Sequence, residues 1–251
     1  MDSKQEQIFD IIDVSLLAGK IMLRSGAETY RVEDTMMRIA AAYGIEHSHS
    51  YVTPTGIIFS VERENVTELV RIVDRSTDLQ KVAKVNNISR LISSGELTVE
   101  EALSQLKEVE RDPHAYPISI QIIAASIASG CFLIMFKGGW IDVIPAIITG
   151  GIGFTSLIYL HRLVEVKFFA EFLAALLIGL LSVLFIETNL GVELDKIIIA
   201  SVMPLVPGLL ITNAVRDLMA GHLVSGISKG AEAFLTAFAI GAGVAVVFSI
   251  Y

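Results

Sequence analysis

The sequence has a single cysteine and no strongly basic segment. With Cys131 as the only cysteine among 251 residues, neither an intrachain disulfide nor a cysteine metal cluster can form. Lys and Arg number 19 against 27 Asp and Glu, a formal net charge of −8, and no basic stripe could neutralise phosphates, so we expect no nucleic-acid partner. The glycine-rich stretches also lack the Gly-Lys-Ser/Thr ending of a Walker A loop, which excludes that route to ATP hydrolysis.

Charged residues are also scarce in five apolar stretches of the C-terminal half. A helix rises about 1.5 Å per residue, so roughly 20 residues cross a hydrocarbon core about 30 Å thick. We therefore predict a polytopic α-helical membrane protein whose transmembrane domain, in contact with membrane lipid, covers residues 115–251. The five predicted transmembrane helices cover residues 117–136, 142–160, 168–186, 196–215 and 232–251.

Residues 1–114 hold most of the charged side chains and predict a soluble α+β domain, here called the head. Its predicted elements are helices at 8–24, up to Gly44, at 79–91 and from Thr98 to Arg111, and strands at 45–52, 57–62 and 66–74. A turn at 53–56 joins the first two strands, and Thr98 with Glu101 forms a capping box. The N-terminus is too polar for a signal peptide, so we expect the head in the cytoplasm.

Two features of the head are candidate functional sites. His47 and His49 are two apart on a predicted strand, so their side chains would face the same way, as two metal ligands could. No cysteine or acidic cluster accompanies them, so a solvated strand face is the better interpretation and we expect no metal or other cofactor. Gly26-Ala27-Glu28 is better explained, from the residues alone, as a turn between helices with a carboxylate favoured by the helix dipole.

The fourth apolar stretch combines prolines with polar residues. Its notable residues are Pro204, Pro207, Gly208, Asn213, Arg216, Asp217 and His222. Each proline removes a backbone donor and clashes with the preceding turn, so we predict a kinked or broken helix near mid-membrane. Two interpretations stay open. The polar residues line a substrate or ion path, as in transporters with broken helices, or they form an interfacial helix end among lipid headgroups.

Glu171 lies one turn inside the third predicted helix. A carboxylate in hydrocarbon needs a partner, and a protonatable one would suit a proton-coupled carrier. The alternative is an interfacial position beside Lys167, one helical turn earlier. The spacing alone favours the interfacial position.

Loop charges predict the orientation of the helices. With the head inside, four Lys and Arg residues lie in the cytoplasmic connections and two in the opposite loops. The excess of Lys and Arg belongs on the cytoplasmic side. An odd number of helices then places the N-terminus in the cytoplasm and Tyr251 outside.

Small residues recur at four-residue spacing in the predicted transmembrane helices. Examples are Ser126 with Gly130, and Gly241 with Ala237 and Ala245. Such spacing lets helices approach closely in lipid, within one chain or between the chains of a homo-oligomer. It indicates a packed bundle and gives no information on a substrate.

Residues of the fourth stretch and of the head together resemble a known family. The residues that carry the resemblance are Val206-Pro207-Gly208, Asn213-Ala214-Val215, Asp217, Gly221-His222 and Gly226, with Gly26-Ala27-Glu28 in the head. They are similar to the signature of the threonine/serine exporter family, YjjP type. The resemblance implies a secondary transporter of the inner membrane, not an enzyme, that exports threonine, serine or a dicarboxylate such as succinate. Arg216 is not part of the shared pattern.

The resemblance also implies a partner. Fused members of the family continue with further transmembrane helices, and this chain resembles the larger component of a split system. We therefore expect a separately encoded small membrane subunit of the same family.

Other functions stay open on the sequence alone. The chain could be a membrane-anchored enzyme that uses Glu28, His47 and His49, although it has no nucleophile elbow or zinc-protease motif. It could also be a sensor or scaffold whose head recruits a partner. An exporter driven by an ion gradient, with alternating access around the broken fourth helix, is the leading hypothesis.

Overall fold

The structure is a computed structural model that describes residues 3–62, 66–112, 116–164 and 166–251. It divides into two compact units, Met1–Ala115 with Leu209–Gly230 and Tyr116–Gly208 with Ala231–Tyr251. We call these the first and the second unit. Residues 209–230, which the sequence analysis assigned to the transmembrane domain, thus pack with the head in the first unit, while the domain limits 1–114 and 115–251 themselves stay a prediction.

Four helices of the head match the predicted ones closely. They are α1 (Ser3–Arg24), α2 (Thr29–Ala42), α3 (Leu79–Ser93) and α4 (Val99–Arg111). The predicted capping box is confirmed, because the Glu101 N–H donates to Thr98 Oγ1 at 3.3 Å and the Thr98 N–H donates to Glu101 Oε2 at 2.9 Å. Fully buried residues of α1 and α2, such as Met22, Met36 and Ile39, form the centre of the core.

The sheet has three antiparallel strands in the order of the sequence. They are β1 (Ser48–Thr53), β2 (Gly56–Val61) and β3 (Val66–Arg71). The predicted turn is confirmed by the pairing of Thr53 with Gly56. Alternate β2 residues, Ile57, Phe59 and Val61, are buried against the helices, because successive side chains of a strand point to opposite faces.

Two strand limits predicted from the sequence are wrong. The first strand begins at Ser48 instead of Ile45, because the Ile45 N–H donates to Ala40 O at 2.9 Å and still closes the end of α2. The third strand ends at Arg71 instead of Asp74. Beyond it the Ser76 N–H donates to Arg24 O at 2.8 Å, so the chain leaves the sheet for the end of α1.

The remaining helices carry the apolar stretches. They are α5 (Ile118–Met135), α6 (Val143–Leu163), α7 (Lys167–Glu187), α8 (Leu194–Val202), α9 (Gly208–Met219) and α10 (Leu223–Ile250). Among the described residues, four helices are long and apolar enough to cross a membrane, or five if the pair at Leu194–Leu205 and Gly208–Met219 counts as one broken span. The coarse fold of a mostly helical protein with four to five membrane-spanning helices and a small sheet is therefore confirmed.

The fourth and fifth predicted helices differ from the structure in their limits. The stretch 196–215 is two helices that meet at an angle of 63°, with Pro204 in a short 3-10 turn and Pro207 at the break. The prediction of a break at the prolines is confirmed. The fifth helix begins at Leu223 instead of residue 232, because the charged Lys229 is only 4% exposed and finds buried partners, so the helix continues through it.

Within the second unit, α7 and α10 run parallel and pack through glycine. A Cβ added at Gly243 of α10 would lie 2.4 Å from the backbone oxygen of Phe172 in α7, and one at Gly179 would lie 2.5 Å from Val247. Gly130 and Ser126 of α5 likewise contact α6 closely, as their spacing predicted. Gly241, for which the same spacing predicted close packing, is exposed and has no neighbour within 4 Å of an added Cβ among the described residues.

We predict that Gly243→Ala destabilises the protein by about 1–3 kcal/mol, because the new methyl group overpacks against backbone that cannot move aside. Gly241→Ala, two residues away on the same helix, is the matched control and should be neutral or up to about 1 kcal/mol more stable. The measurement is the thermal midpoint of each purified variant in detergent. Equal midpoints for the two variants would contradict the close packing of α7 and α10.

Candidate functional site

Gly26 forms the turn at which α1 ends and α2 begins. Its φ of +90° is in the left-handed region that favours glycine. The Ala27 N–H donates to Met22 O at 3.0 Å and the Gly26 N–H to Leu23 O at 3.4 Å, the two hydrogen bonds of a Schellman motif. The turn predicted at Gly26-Ala27-Glu28 is therefore confirmed, and Gly26 leaves its own carbonyl oxygen available for another donor.

Asn213 of α9 is that donor. Its Nδ2 donates to Gly26 O at 2.8 Å, and only 5% of the residue is exposed. The contact joins residues 187 positions apart in the sequence. The Gly-Ala-Glu turn and the Asn213 region, two separate parts of the sequence pattern, thus meet in one place within the first unit.

Asp217 caps the N-terminus of α2. Glu28 occupies the N-cap position but its side chain makes no capping hydrogen bond. Instead the Thr29 N–H donates to Asp217 Oδ1 at 2.9 Å. A carboxylate at a helix N-terminus satisfies a backbone donor that has no partner in the helix and complements the helix dipole.

Asp217 also forms a buried ion pair with Lys229 of α10. Lys229 Nζ lies 2.7 Å from Asp217 Oδ2, and the two side chains are 5% and 0% exposed. Lys229 Nζ also donates to Thr29 Oγ1 at 3.0 Å. Both carboxylate oxygens of Asp217 are therefore bonded. We call Gly26, Thr29, Asn213, Asp217 and Lys229 the Asp217 cluster.

Arg216 pairs with the acidic residue of the Gly-Ala-Glu turn. Its Nη1 donates to Glu28 Oε1, and Arg31 Nε lies 3.4 Å from Glu28 Oε2. Burial is the largest single influence on Glu28 and raises its pKa. Hydrogen bonds from its own N–H and from Arg216, together with the charges of Arg31 and Arg216, lower the pKa by more than burial raises it. The pKa of Glu28 therefore lies below the ordinary value. The stability that Glu28 contributes is thus present above the ordinary glutamate pKa and lost as pH falls through the lowered one.

His222 lies at a second contact of the same unit. Its Nδ1 is 3.6 Å from Glu33 Oε1, which also accepts from the Val52 N–H at 2.8 Å. Ser225 Oγ donates to Val52 O at 3.0 Å. Burial raises the pKa of Glu33, as does the charge of Asp217, against the lowering effects of Val52 and His222.

The structure brings together only part of the predicted site. Asn213, Asp217 and His222 all contact the head residues of the first unit, and Ala27 is buried in the same turn. Glu171 belongs to the second unit and is taken up separately below. A substrate or ion path along Pro204, Pro207, Gly208 and the polar residues after them stays a prediction.

Sequence reasoning missed Lys229, Thr29 and Glu33. The sequence analysis counted Lys229 as a loop charge, since it began the fifth helix at residue 232. The available signal was a lysine three residues before the predicted start of the fifth helix, because such a charge requires a partner if the helix extends through it. The roles of Thr29 and Glu33 depend on contacts across more than 180 residues, for which the local sequence gives no signal.

His47 and His49 do not form a site together. Both are exposed, and His47 precedes β1, so only His49 lies on a strand. No group of three or more His, Cys, Asp or Glu side chains that could hold a metal ion occurs in the described part of the chain.

Comparison with known families identifies the chain. Residues 13–251 match the family model described as "Putative threonine/serine exporter". The chain belongs to the threonine/serine exporter family. The family is one of membrane transporters, which agrees with the apolar helices and with the family resemblance of the sequence.

Three relatives illustrate the range of this exporter family. The chain is 25% identical to a "Probable threonine/serine exporter" of Mycobacterium tuberculosis over 90% of its own length and 44% of the relative's. It is 24% identical to the "Threonine/serine exporter" of Corynebacterium glutamicum, over 95% of its own length and 50% of the relative's. It is 25% identical to the "Probable succinate transporter subunit YjjP" of Escherichia coli, over 98% of its own length and 96% of the relative's. The chain thus spans about half the length of the first two relatives, and no solved structure matches it.

We predict that Asp217→Asn lowers the free energy of unfolding by about 3–5 kcal/mol, because Lys229 is left buried without a counter-charge. The matched control is Asp34→Asn, which removes an exposed ion pair with Arg38 on α2 and should cost about 0–1 kcal/mol. Thermal unfolding of the full-length variants in detergent measures both. A loss for Asp217→Asn no larger than that of the control would contradict the buried ion pair.

Proposed function

We propose that this chain is the head-bearing component of a secondary exporter of small carboxylate-bearing metabolites. The proposal is supported by its membership of a transporter family and by relatives named for threonine and serine export and for succinate transport. Threonine, serine and succinate share a carboxylate, so we propose this group as the common element of recognition. The ion gradient across the inner membrane drives export.

Substrate access alternates around the break between α8 and α9. Broken membrane helices expose backbone polar groups in a protein-lined cavity, and the N-terminus of the second half favours an anionic substrate group. The polar face of α9 begins one turn after this break. Asn213, Asp217 and His222 on or just beyond α9 line the path when their contacts with the head open.

The observation that carries this mechanism is the Asp217 cluster. It binds the α1–α2 turn of the head to α9 and to the beginning of α10 through two buried, charge-assisted hydrogen bonds of Asp217 and one neutral amide–carbonyl bond of Asn213. Such bonds are strong when complete and costly when one partner is missing. A substrate-dependent change in α9 must therefore be shared with the head, and we propose that this coupling is the reason for a head on an exporter.

A neutralised pair separates a mechanistic role of Asp217 from a purely structural one. We expect Asp217→Asn to abolish efflux, and the double variant Asp217→Asn with Lys229→Gln to regain normal abundance in the membrane, since no unpaired charge stays buried. If Asp217 acts in transport, the double variant still exports nothing. Abundance and metabolite efflux are measured in the same strains, with Asp34→Asn as control, and normal efflux by the double variant would remove Asp217 from the mechanism.

We also propose that a separately encoded small membrane subunit completes the exporter. The support is the relative named as a transporter subunit, which the chain matches over 96% of that relative's length. A further association into a homo-oligomer would be compatible with the exposed small residues Ala237, Gly241 and Ala245 on α10.

The partner is tested by threonine, serine and succinate efflux from four strains that contain this chain, its genomic neighbour, both or neither. We expect efflux from the strain with both and background levels from the other three, because each component alone forms an incomplete path. Full efflux by the purified chain alone in liposomes would contradict the need for a partner. Background efflux in all four strains would contradict the exporter function itself for these substrates.

We propose a cytoplasmic head with Tyr251 outside. Two connections support a common end of the second unit, since Lys196 Nζ donates to Lys137 O at 2.8 Å and the Gly139 N–H donates to Glu193 Oε2 at 3.0 Å. The helices of this unit therefore alternate in direction along the chain, and the parallel α7 and α10 both lead toward that end. A reporter fused after Tyr251 that is active only in the cytoplasm would overturn this orientation.

A further inference from the structure

Glu171 is a buried carboxylate whose surroundings are apolar. Only 4% of the residue is exposed, and the neighbouring Ala170, Ala174 and Ala175 of α7 are fully buried in an apolar cluster with Ile240 of α10. The polar side chain beside it is Thr236 of α10, itself 2% exposed. Glu171 therefore lies between two packed helices of the second unit, and its depth in the membrane stays a prediction.

Two polar atoms at this position lack partners. Neither Glu171 Oε2 nor Thr236 Oγ1 makes a hydrogen bond with the described residues. The buried Thr149 Oγ1 and Asp142 Oδ2 of the same unit also lack partners among the described residues, but the Asp142 carboxylate accepts from the Val192 N–H at 2.6 Å through its other oxygen. Glu171 has neither a backbone N–H nor a cation as a partner in the described part of the chain, and a buried carboxylate charge without either is costly.

The charged groups around Glu171 lie one helical turn away. Lys167 precedes it on α7 and Glu232 precedes Thr236 on α10, and these two form an ion pair with Nζ 3.0 Å from Oε1. His161, near the end of α6, interacts electrostatically with Lys167. The side chains of Lys167 and Glu232 are 48% and 21% exposed. This ion pair therefore lies between the buried carboxylate of Glu171 and the solvent-accessible end of the helices.

We propose that Glu171 binds the proton whose movement drives export. This inference rests on the proposed function, since it names the ion and the residue that couple it. A proton fits what is missing: it removes the charge from an apolar environment and converts one carboxylate oxygen into a donor for Thr236 Oγ1. A calcium or magnesium ion fits poorly, because it takes six or more oxygen ligands and the described residues offer two unpartnered atoms at this position.

The buried position makes Glu171 testable without any transport assay. Dicyclohexylcarbodiimide is an apolar reagent that reacts with protonated carboxyl groups. The O–H of the carboxyl group adds across a C=N bond of the reagent. With the full-length protein in detergent, we expect mass spectrometry to find the label on Glu171 and to show less of it as pH is raised. Glu187, an exposed carboxylate at the other end of the same helix, is the control and should carry little label. No label on Glu171, or a label that does not change with pH, would overturn the proposal.

The coupling role is tested with the chain and its partner subunit in liposomes. Glu171→Gln mimics the protonated state, so we expect loss of efflux driven by a proton gradient but retention of substrate exchange, which needs no net proton movement. Glu187→Gln should keep both activities. If Glu171→Gln fails to fold, Thr236→Val replaces it and should change the pH dependence of carbodiimide labelling of Glu171, because the carboxyl group loses its neighbouring hydroxyl.

The outcomes separate this proposal from the proposed function. Driven efflux by a folded Glu171→Gln variant would overturn the coupling role while leaving the exporter intact, and unchanged labelling in Thr236→Val would do the same. Absence of both efflux and exchange in the wild-type pair would overturn the exporter function and the coupling role with it. Labelling of Glu171 with loss of driven efflux alone supports the proposal.

Discussion

The ion pair between Asp217 and Lys229 is the interaction on which the first unit depends. Two opposite charges almost without solvent exposure are stable only if each is paired and fully hydrogen-bonded. Thr29 contacts both charges, because its N–H donates to Asp217 Oδ1 and its hydroxyl accepts from Lys229 Nζ. One buried charge pair therefore fixes the start of α2, the face of α9 and the beginning of α10.

This arrangement changes the meaning of polar residues in an apolar part of the chain. A charge near a membrane helix usually indicates either contact with headgroups or a binding site. Asp217 and Lys229 have a third use, which is to bind the start of α2 to α9 and to the beginning of α10. Glu171 differs from them, since it has an unpartnered oxygen where Asp217 has none. Asp217 thus holds helices of the first unit together, whereas Glu171 is the carboxylate that we propose to bind a proton.

Much of the fold could be predicted from the sequence, because local signals determine it. Apolar periodicity gave the head helices, Thr98 and Glu101 the capping box, and Pro204 with Pro207 the broken helix. The predicted ends of helices and strands were wrong where a tertiary or neighbouring contact outweighed the local pattern. Ile45 is an example, since its N–H closes the end of α2 instead of starting a strand. The candidate site was predictable as residues but not as geometry. Gly26 and Asn213 both stood out, yet nothing local indicates that an amide and a carbonyl 187 residues apart are bonded.

The separation between Thr29 and its cap has a consequence for biosynthesis. The N-terminus of α2 is completed by Asp217, 188 residues later, and a ribosome adds about 5–20 residues per second, so the cap follows roughly 10–40 seconds after the helix it serves. During this interval the nascent head has its core residues but an uncapped helix. The last step of its folding must therefore await translation of α9 and of the beginning of α10, which supply Asp217 and Lys229.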